Sequence, residues 1–123
     1  MFRYVAALIL PAAAAVYGPA GAGEADVLAV EIARTAPGVY RFDVTVRHAD
    51  SGWDHYADRW EVRDAGGAVL ATRVLLHPHV AEQPFTRSLG GVRLAQAPGE
   101  VTVRAHDSVH GYGGAEVTVA IPE

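Results

Sequence analysis

Six histidines are the side chains of this sequence with the greatest capacity for chemistry, and no cysteine accompanies them. Imidazole is the commonest protein ligand for Zn(II) and Cu(II), because its neutral ring nitrogen is a borderline donor near neutral pH. His77 and His79 are separated only by Pro78, and residues two apart in an extended chain point to the same side, so both rings could reach one ion. The predicted metal ligands are His48, His55, His77, His79, His106 and His110.

Four aspartates lie in the same segments as the histidines: Asp50, Asp54, Asp58 and Asp107. Their carboxylates could be oxygen ligands, or could accept hydrogen bonds from ligating imidazoles and fix the orientation of the rings. The only methionine is Met1, so the soft thiolate and thioether ligands that suit Cu(I) are missing from the rest of the sequence. The metal that this ligand set predicts is Cu(II) or Zn(II), for sequestration or delivery.

The same segments also support a second interpretation, in which no metal binds. Four aromatic residues, Trp53, Tyr56, Phe85 and Tyr112, could form an interaction surface for a protein or a glycan, because aromatic rings supply most binding anchors. The histidines and aspartates would then be a structural hydrogen-bond network, and His48 could be a buried histidine satisfied by a neighbouring group. This interpretation predicts exposed rings and no metal dependence.

The sequence argues against several other functions. It contains no G-x-S-x-G, H-E-x-x-H, phosphate-loop or dinucleotide-binding motif. Its formal net charge is −4, so it has no basic footprint for nucleic acid. We therefore expect a non-catalytic protein whose partner is a metal ion or a periplasmic protein.

The histidines, aspartates and aromatic residues named above must be positioned by β-strands. Short alternating segments separated by turn signals follow one another from residue 26 onward. Strands are predicted near residues 27–34, 40–47, 59–64, 69–76, 85–94, 101–105 and 115–121. In the first of them, Leu28, Val30 and Ile32 are expected to share one face. In the second, a clear period of two places Tyr40, Phe42, Val44 and Val46 on one buried face.

Seven short strands in about 100 residues, with Trp60 on the third, resemble the immunoglobulin-like and fibronectin type III sandwiches. The resemblance covers nearly all of the chain after residue 22 and concerns the fold alone, since the cysteine pair of antibody-type domains is missing. It implies an all-β, seven-stranded antiparallel immunoglobulin-like sandwich. Fold resemblance of this kind does not specify a function.

Alternate connections between antiparallel strands lie at the same end of such a sandwich. One set consists of three minimal turns, Ala-Pro-Gly, Ala-Gly-Gly and Ala-Pro-Gly. The other set contains every histidine, in the segments 48–58, 77–84 and 106–114. We therefore expect the histidines to gather at one end of the domain, on loops of the kind that carry binding residues.

Residues 1–22 have the order of a secretory signal peptide: Arg3, an apolar region, and a small-residue end at Ala20-Gly-Ala22. Cleavage is predicted before Gly23, with a cut after Ala25 as the alternative, so residues 23–123 would form the domain. An uncleaved membrane anchor is a weaker interpretation, because Pro11 and Pro19 interrupt the apolar run. A signal peptide and an all-Arg, Ala/Gly/Val-rich composition predict a periplasmic or secreted bacterial protein, with no transmembrane segment after cleavage.

Overall fold

Seven β-strands in two antiparallel sheets form the protein, in a computed structural model that describes residues 23–94 and 99–123. The strands are β1 (Asp26–Ala36), β2 (Val39–Arg47), β3 (Ala57–Arg63), β4 (Val69–Val74), β5 (Phe85–Arg93), β6 (Glu100–Asp107) and β7 (Val117–Ala120). One sheet has the order β1-β2-β5 and the other β4-β3-β6-β7. The predicted all-β class, strand number and antiparallel pairing are confirmed, and the two sheets are compatible with an immunoglobulin-like sandwich.

Two sequence predictions lie outside the described residues: the signal peptide at residues 1–22 and the start of the turn at residues 97–99. Within the described ranges, no helix is long and apolar enough to cross a membrane.

The core lies between the two sheets and follows the predicted period of two. In β2, Tyr40, Phe42, Val44 and Val46 are all buried, as the sequence predicted. Trp60 from β3 is fully buried on the facing sheet. Because successive side chains of a strand alternate between faces, these positions bury one face of each sheet against the other.

Strand β1 departs from the simple alternation predicted for it. Its pairing with β2 shifts register between Val27 and Ala29, and Val27 is fully buried whereas Leu28 is only partly buried. Leu28, Val30 and Ile32 are less exposed than Ala29 and Glu31 between them, as predicted, and the departure is the additional burial of Val27 beside the register shift. An extra residue in one strand reverses which side chains point inward, and period-two reasoning cannot detect it.

Three loops meet at one end of the sandwich, and we call this end the histidine pole: residues 48–56, 75–84 and 108–116. The Ser108 amide donates to the Tyr56 carbonyl at 2.9 Å, which joins the first loop to the third. The His48 amide donates to Gln83 Oε1 at 2.9 Å, which joins the first loop to the second. The predicted gathering of these three loops is confirmed.

Separate replacement of Trp60 and of Trp53 by alanine tests the assignment of the core. Replacement of the fully buried Trp60 by alanine should lower the free energy of unfolding by about 3–5 kcal/mol, because it leaves a large cavity between the sheets. Trp53 is 67% exposed, so its replacement by alanine should change this free energy by no more than about 0.5 kcal/mol. Urea unfolding followed by far-UV circular dichroism measures both, and equal losses would contradict the assignment.

Candidate metal centre

His48 directly follows β2 and continues the inward alternation of that strand, so its ring is buried at the end of the core. Its Nδ1 forms a hydrogen bond with Oδ1 of Asp50. A carboxylate only accepts, so Nδ1 carries the proton, which leaves Nε2 directed toward the middle of the histidine pole. Asp50 therefore fixes both the orientation and the tautomer of the His48 ring.

The Asp50 carboxylate also fixes the backbone around the ring. Its Oδ1 accepts from the Ala57 amide at 3.0 Å, and its Oδ2 accepts from the His79 amide at 2.6 Å. One buried carboxylate thus connects the start of β3 and the loop 75–84 to His48. A ligand held by such an acceptor is the usual arrangement in protein metal sites.

Three potential ligands converge beside this anchor: His48, His55 and Asp107. One ligand atom from each lies within 4.8 Å of the others. Nε2 of His55 is 2.7 Å from Oδ1 of Asp107, and Nε2 of His48 also contacts that oxygen. Asp107 is fully buried, yet its Oδ1 accepts no hydrogen bond in a suitable geometry. Two imidazole nitrogens and a carboxylate oxygen at such short separations are an arrangement that a shared positive charge would stabilise, whether a proton or a metal ion supplies it.

The other oxygen of Asp107 is fully engaged by the loop that follows β6. Oδ2 accepts from the Val109 amide at 2.9 Å, from Nδ1 of His110 at 2.9 Å, and also from the His110 amide. These bonds hold the carboxylate rigidly, so Oδ1 must point toward the two imidazoles. Asp107, one of the four aspartates predicted as oxygen ligands or as acceptors for the imidazoles, therefore lies at the centre of the site.

The charges of the site favour an ionised carboxylate beside a protonated imidazole. Burial alone would raise the pKa of Asp107, but the amides of His110 and Val109 and the nearby His48 and His55 rings outweigh it and lower the pKa. Burial alone would lower the pKa of His48, but the hydrogen bonds to Asp50 and to the Gly23 carbonyl, together with the charges of Asp50 and Asp107, raise it. The site thus attracts positive charge, whether a proton or a metal ion supplies it.

Gly23 is a participant that sequence reasoning missed. Its carbonyl oxygen is 2.9 Å from Nε2 of His48, 3.2 Å from Nε2 of His55 and 3.3 Å from Nδ1 of His110. A backbone carbonyl has no side-chain signature, so no residue pattern could have identified it. The only available signal was the position of Gly23 directly after the predicted cleavage site.

The six histidines divide into separate groups. His48, His55 and His110 are neighbours: the ring centroid of His55 is 4.9 Å from that of His48 and 5.0 Å from that of His110. His77 and His79 form a second pair with centroids 4.7 Å apart. They are not part of the converging group, because the His79 ring stacks on Phe85 at 4.0 Å and the His77 ring is exposed.

The remaining predicted site residues lie at the margin of the pole. Nδ1 of His106 is 2.7 Å from Oδ1 of Asp58, and the His106 ring lies against Tyr112 at 4.8 Å. Asp54 is exposed. Within the described ranges, only His48, His55 and Asp107 meet as a group that could hold an ion.

The aromatic residues predicted as an interaction surface also differ among themselves. Trp53 is exposed and contacts Tyr56 edge to face at 5.6 Å. Tyr112 is half-buried beneath Arg104, whose guanidinium lies 3.6 Å from the ring centroid. Phe85 is only 1% exposed, so its assignment to a surface is corrected: it begins β5, pairs with Val46 and points into the core.

Two imidazoles and a carboxylate form a ligand set suited to borderline divalent ions. Nδ1 of His48 is committed to Asp50, and the groups nearest its Nε2 are oxygen acceptors. This nitrogen must therefore either carry a second proton or direct its lone pair at a cation. His55 and His110 are partly exposed, which leaves one side of the group open to solvent.

Comparison with known proteins adds one relative. No family model matches the chain, and no solved structure matches it. A curated protein of Halomicrobium mukohataei, named "Putative lipoprotein", is 41% identical over 96 residues, which is 78% of this chain and 47% of that protein. The chain thus spans about half the length of this relative.

Burial of His79 should make stability depend on pH. Burial, followed by the charges of Arg87 and His77, lowers the pKa of His79 below its ordinary value of 6.5. The unfolded chain therefore binds this proton more readily, so the contribution of His79 to stability is complete above pH 6.5 and is lost as the pH falls toward the folded pKa.

The variant His79→Phe keeps a ring against Phe85 but cannot gain charge. It should lose less stability than the wild type between about pH 7 and 5.5, where histidines titrate, as measured by urea unfolding at several pH values. Measurements near pH 9, where the imidazoles are neutral, provide the baseline difference between the two proteins. Parallel pH profiles would contradict the prediction.

Proposed function

We propose that the protein binds one divalent transition-metal ion, Cu(II) or Zn(II), through His48, His55 and Asp107 at the histidine pole. The observation that carries the proposal is the convergence of these three ligand atoms within 4.8 Å, with a fully buried carboxylate oxygen that accepts no hydrogen bond. The raised pKa of His48 favours a proton at this position in the metal-free protein, and binding of the ion would release that proton to solvent.

The ion would be held by buried ligands on one side and reached from solvent on the other. His48 and Asp107 have fully buried side chains, whereas the His55 side chain is 26% exposed and that of His110 is 42% exposed. His110 adjoins the group through Asp107 and is the histidine best placed to join as a further ligand. A site open on one side suits reversible uptake and transfer, which supports a role in sequestration or delivery.

The broader setting of this function is part of the proposal. Residues 23–123 form an immunoglobulin-like domain that is released from a signal peptide and acts in the periplasm or outside the cell of a bacterium. The name of the Halomicrobium relative supports a location in the envelope or beyond it. The sheet order β1-β2-β5 and β4-β3-β6-β7 supports the fold assignment.

Titration of the stripped protein with Cu(II) and Zn(II) in a calorimeter tests the proposal. The wild type should bind one ion, and His55→Ala should weaken binding at least about a hundredfold because it removes a ligand. Since the His55 side chain is partly exposed, this variant should retain the fold. His106→Ala and His77→Ala are the matched controls, because both imidazoles lie outside the converging group. Equal affinities in all four proteins would overturn the proposal.

Asp50 should affect affinity without contacting the ion. Asp50→Asn keeps the shape of the side chain but weakens its hold on Nδ1 of His48, so metal affinity should fall about 10–100-fold. Thermal unfolding of the metal-free variant shows how much of the effect is structural. The prediction fails if the variant is folded and binds metal as the wild type does.

A specific feature favours a second candidate, a protein- or glycan-interaction module. Among residues 23–94 and 99–123, four of the six exposed large apolar residues lie in the loops of the histidine pole: Trp53, Leu76, Val80 and Val109. In this case His48 would remain an imidazolium between Asp50 and Asp107, and the cluster would be purely structural. Weak, non-stoichiometric metal uptake in the titration above would favour this candidate.

A further inference from the structure

The segment that leads into β1 is built into the histidine pole. The Val27 amide donates to the Ala115 carbonyl at 2.9 Å, and the Ala115 amide donates in return to Oδ1 of Asp26 at 2.8 Å. A Cβ atom at Gly114 would lie 1.9 Å from the carbonyl oxygen of Ala25. The glycine-rich part of the loop 108–116 is therefore required for the close approach of this segment.

Gly23 itself is held against the histidines. A Cβ atom there would lie 2.7 Å from Cε1 and 3.1 Å from Nδ1 of His110, and its φ of +85° is rarely adopted by other residues. Only glycine fits this position without displacing an imidazole. Its carbonyl oxygen consequently points into the group formed by His48, His55 and Asp107.

The predicted signal peptidase cut falls directly before Gly23, and it would change the chemistry of this residue. In the uncut chain the Gly23 nitrogen is an amide whose lone pair is delocalised into the peptide bond. After the cut it is an α-amine with a free lone pair once deprotonated. The amine nitrogen and the carbonyl oxygen of one residue can close a five-membered ring on a metal ion.

We propose that the backbone of Gly23 completes the metal centre, with its carbonyl oxygen and its cleavage-generated α-amine as ligands beside His48, His55 and Asp107. This inference rests on the proposed function and adds a condition to it. Full affinity would arise only after export and removal of residues 1–22. A chain still in the cytoplasm would then bind the ion more weakly than the exported protein.

The test compares chain 23–123 with chain 22–123, which retains Ala22 and so keeps the Gly23 nitrogen as an amide. All seven strands and the core lie within residues 25–120, so both proteins contain the complete sandwich. Each is released from an amino-terminal fusion by a protease that leaves no extra residue, and is titrated with Cu(II). Chain 23–123 should bind at least about tenfold more tightly. Equal affinities would overturn the role of the amine.

A spectroscopic readout identifies the nitrogen directly. With ¹⁵N-labelled glycine, pulsed electron paramagnetic resonance of the Cu(II) complex should show a directly coordinated ¹⁵N in chain 23–123 and none in chain 22–123. Coordination by imidazole nitrogens alone in both proteins would contradict the inference.

Two sets of variants separate failure of this inference from failure of the proposed function. His55→Ala should abolish tight binding in both chain lengths. If it does so, but the unsubstituted chains 23–123 and 22–123 bind Cu(II) equally, the proposed metal site is retained and the role of the amine is rejected. Gly114→Ala should weaken binding because it displaces the segment that carries Gly23. Gly90→Ala is the control, since a Cβ atom there meets nothing within 4 Å. Equal affinity in folded Gly114→Ala and Gly90→Ala would count against any role for Gly23.

Discussion

The histidine pole depends on one buried carboxylate, that of Asp50. Leaving a carboxylate in the interior costs free energy unless its oxygens are paired, and here they accept from the His48 ring and from the amides of Ala57 and His79. These three groups belong to a strand end, a strand start and a separate loop, so the requirement to satisfy one side chain fixes the relative positions of all three. The conformation of His48, and with it the site, follows from this constraint.

Asp107 differs from Asp50 in how many of its carboxylate oxygens accept hydrogen bonds. Asp50 therefore fixes the surrounding backbone, whereas Asp107 keeps an oxygen for the imidazoles. Asp50 has both oxygens satisfied by donors of the chain, whereas Asp107 has one satisfied oxygen and one that faces Nε2 of His48 and of His55. A region so rich in acceptors is stable only with added positive charge. A proton on His48 supplies such a charge: although burial lowers the pKa of this ring, its hydrogen bonds to Asp50 and to the Gly23 carbonyl raise it overall.

The sequence was sufficient to predict the sandwich and the gathering of loops, because both follow from alternation along strands and from antiparallel connectivity. It could not show which histidines meet. The ring of His79 is diverted by stacking on Phe85, and the ring of His106 by pairing with Asp58, and both outcomes depend on loop conformations that periodicity does not encode. The inward direction of Phe85 and the shifted register of β1 were missed for a related reason: a single residue decides which face a side chain takes. Gly23 was invisible because it contributes backbone atoms alone.

The first and last described residues lie at opposite ends of the sandwich. Residues 23–25 lie at the histidine pole, whereas β7 runs away from it, so that Ala120 pairs with Glu100 at the far end of β6 from Asp107. A tether or fusion partner joined beyond residue 123 would therefore leave the histidine pole facing outward. The same attachment before residue 23 would crowd it. The direction of the last strand thus determines how the molecule can be mounted on a surface, or joined to a second domain, without obstructing its loops.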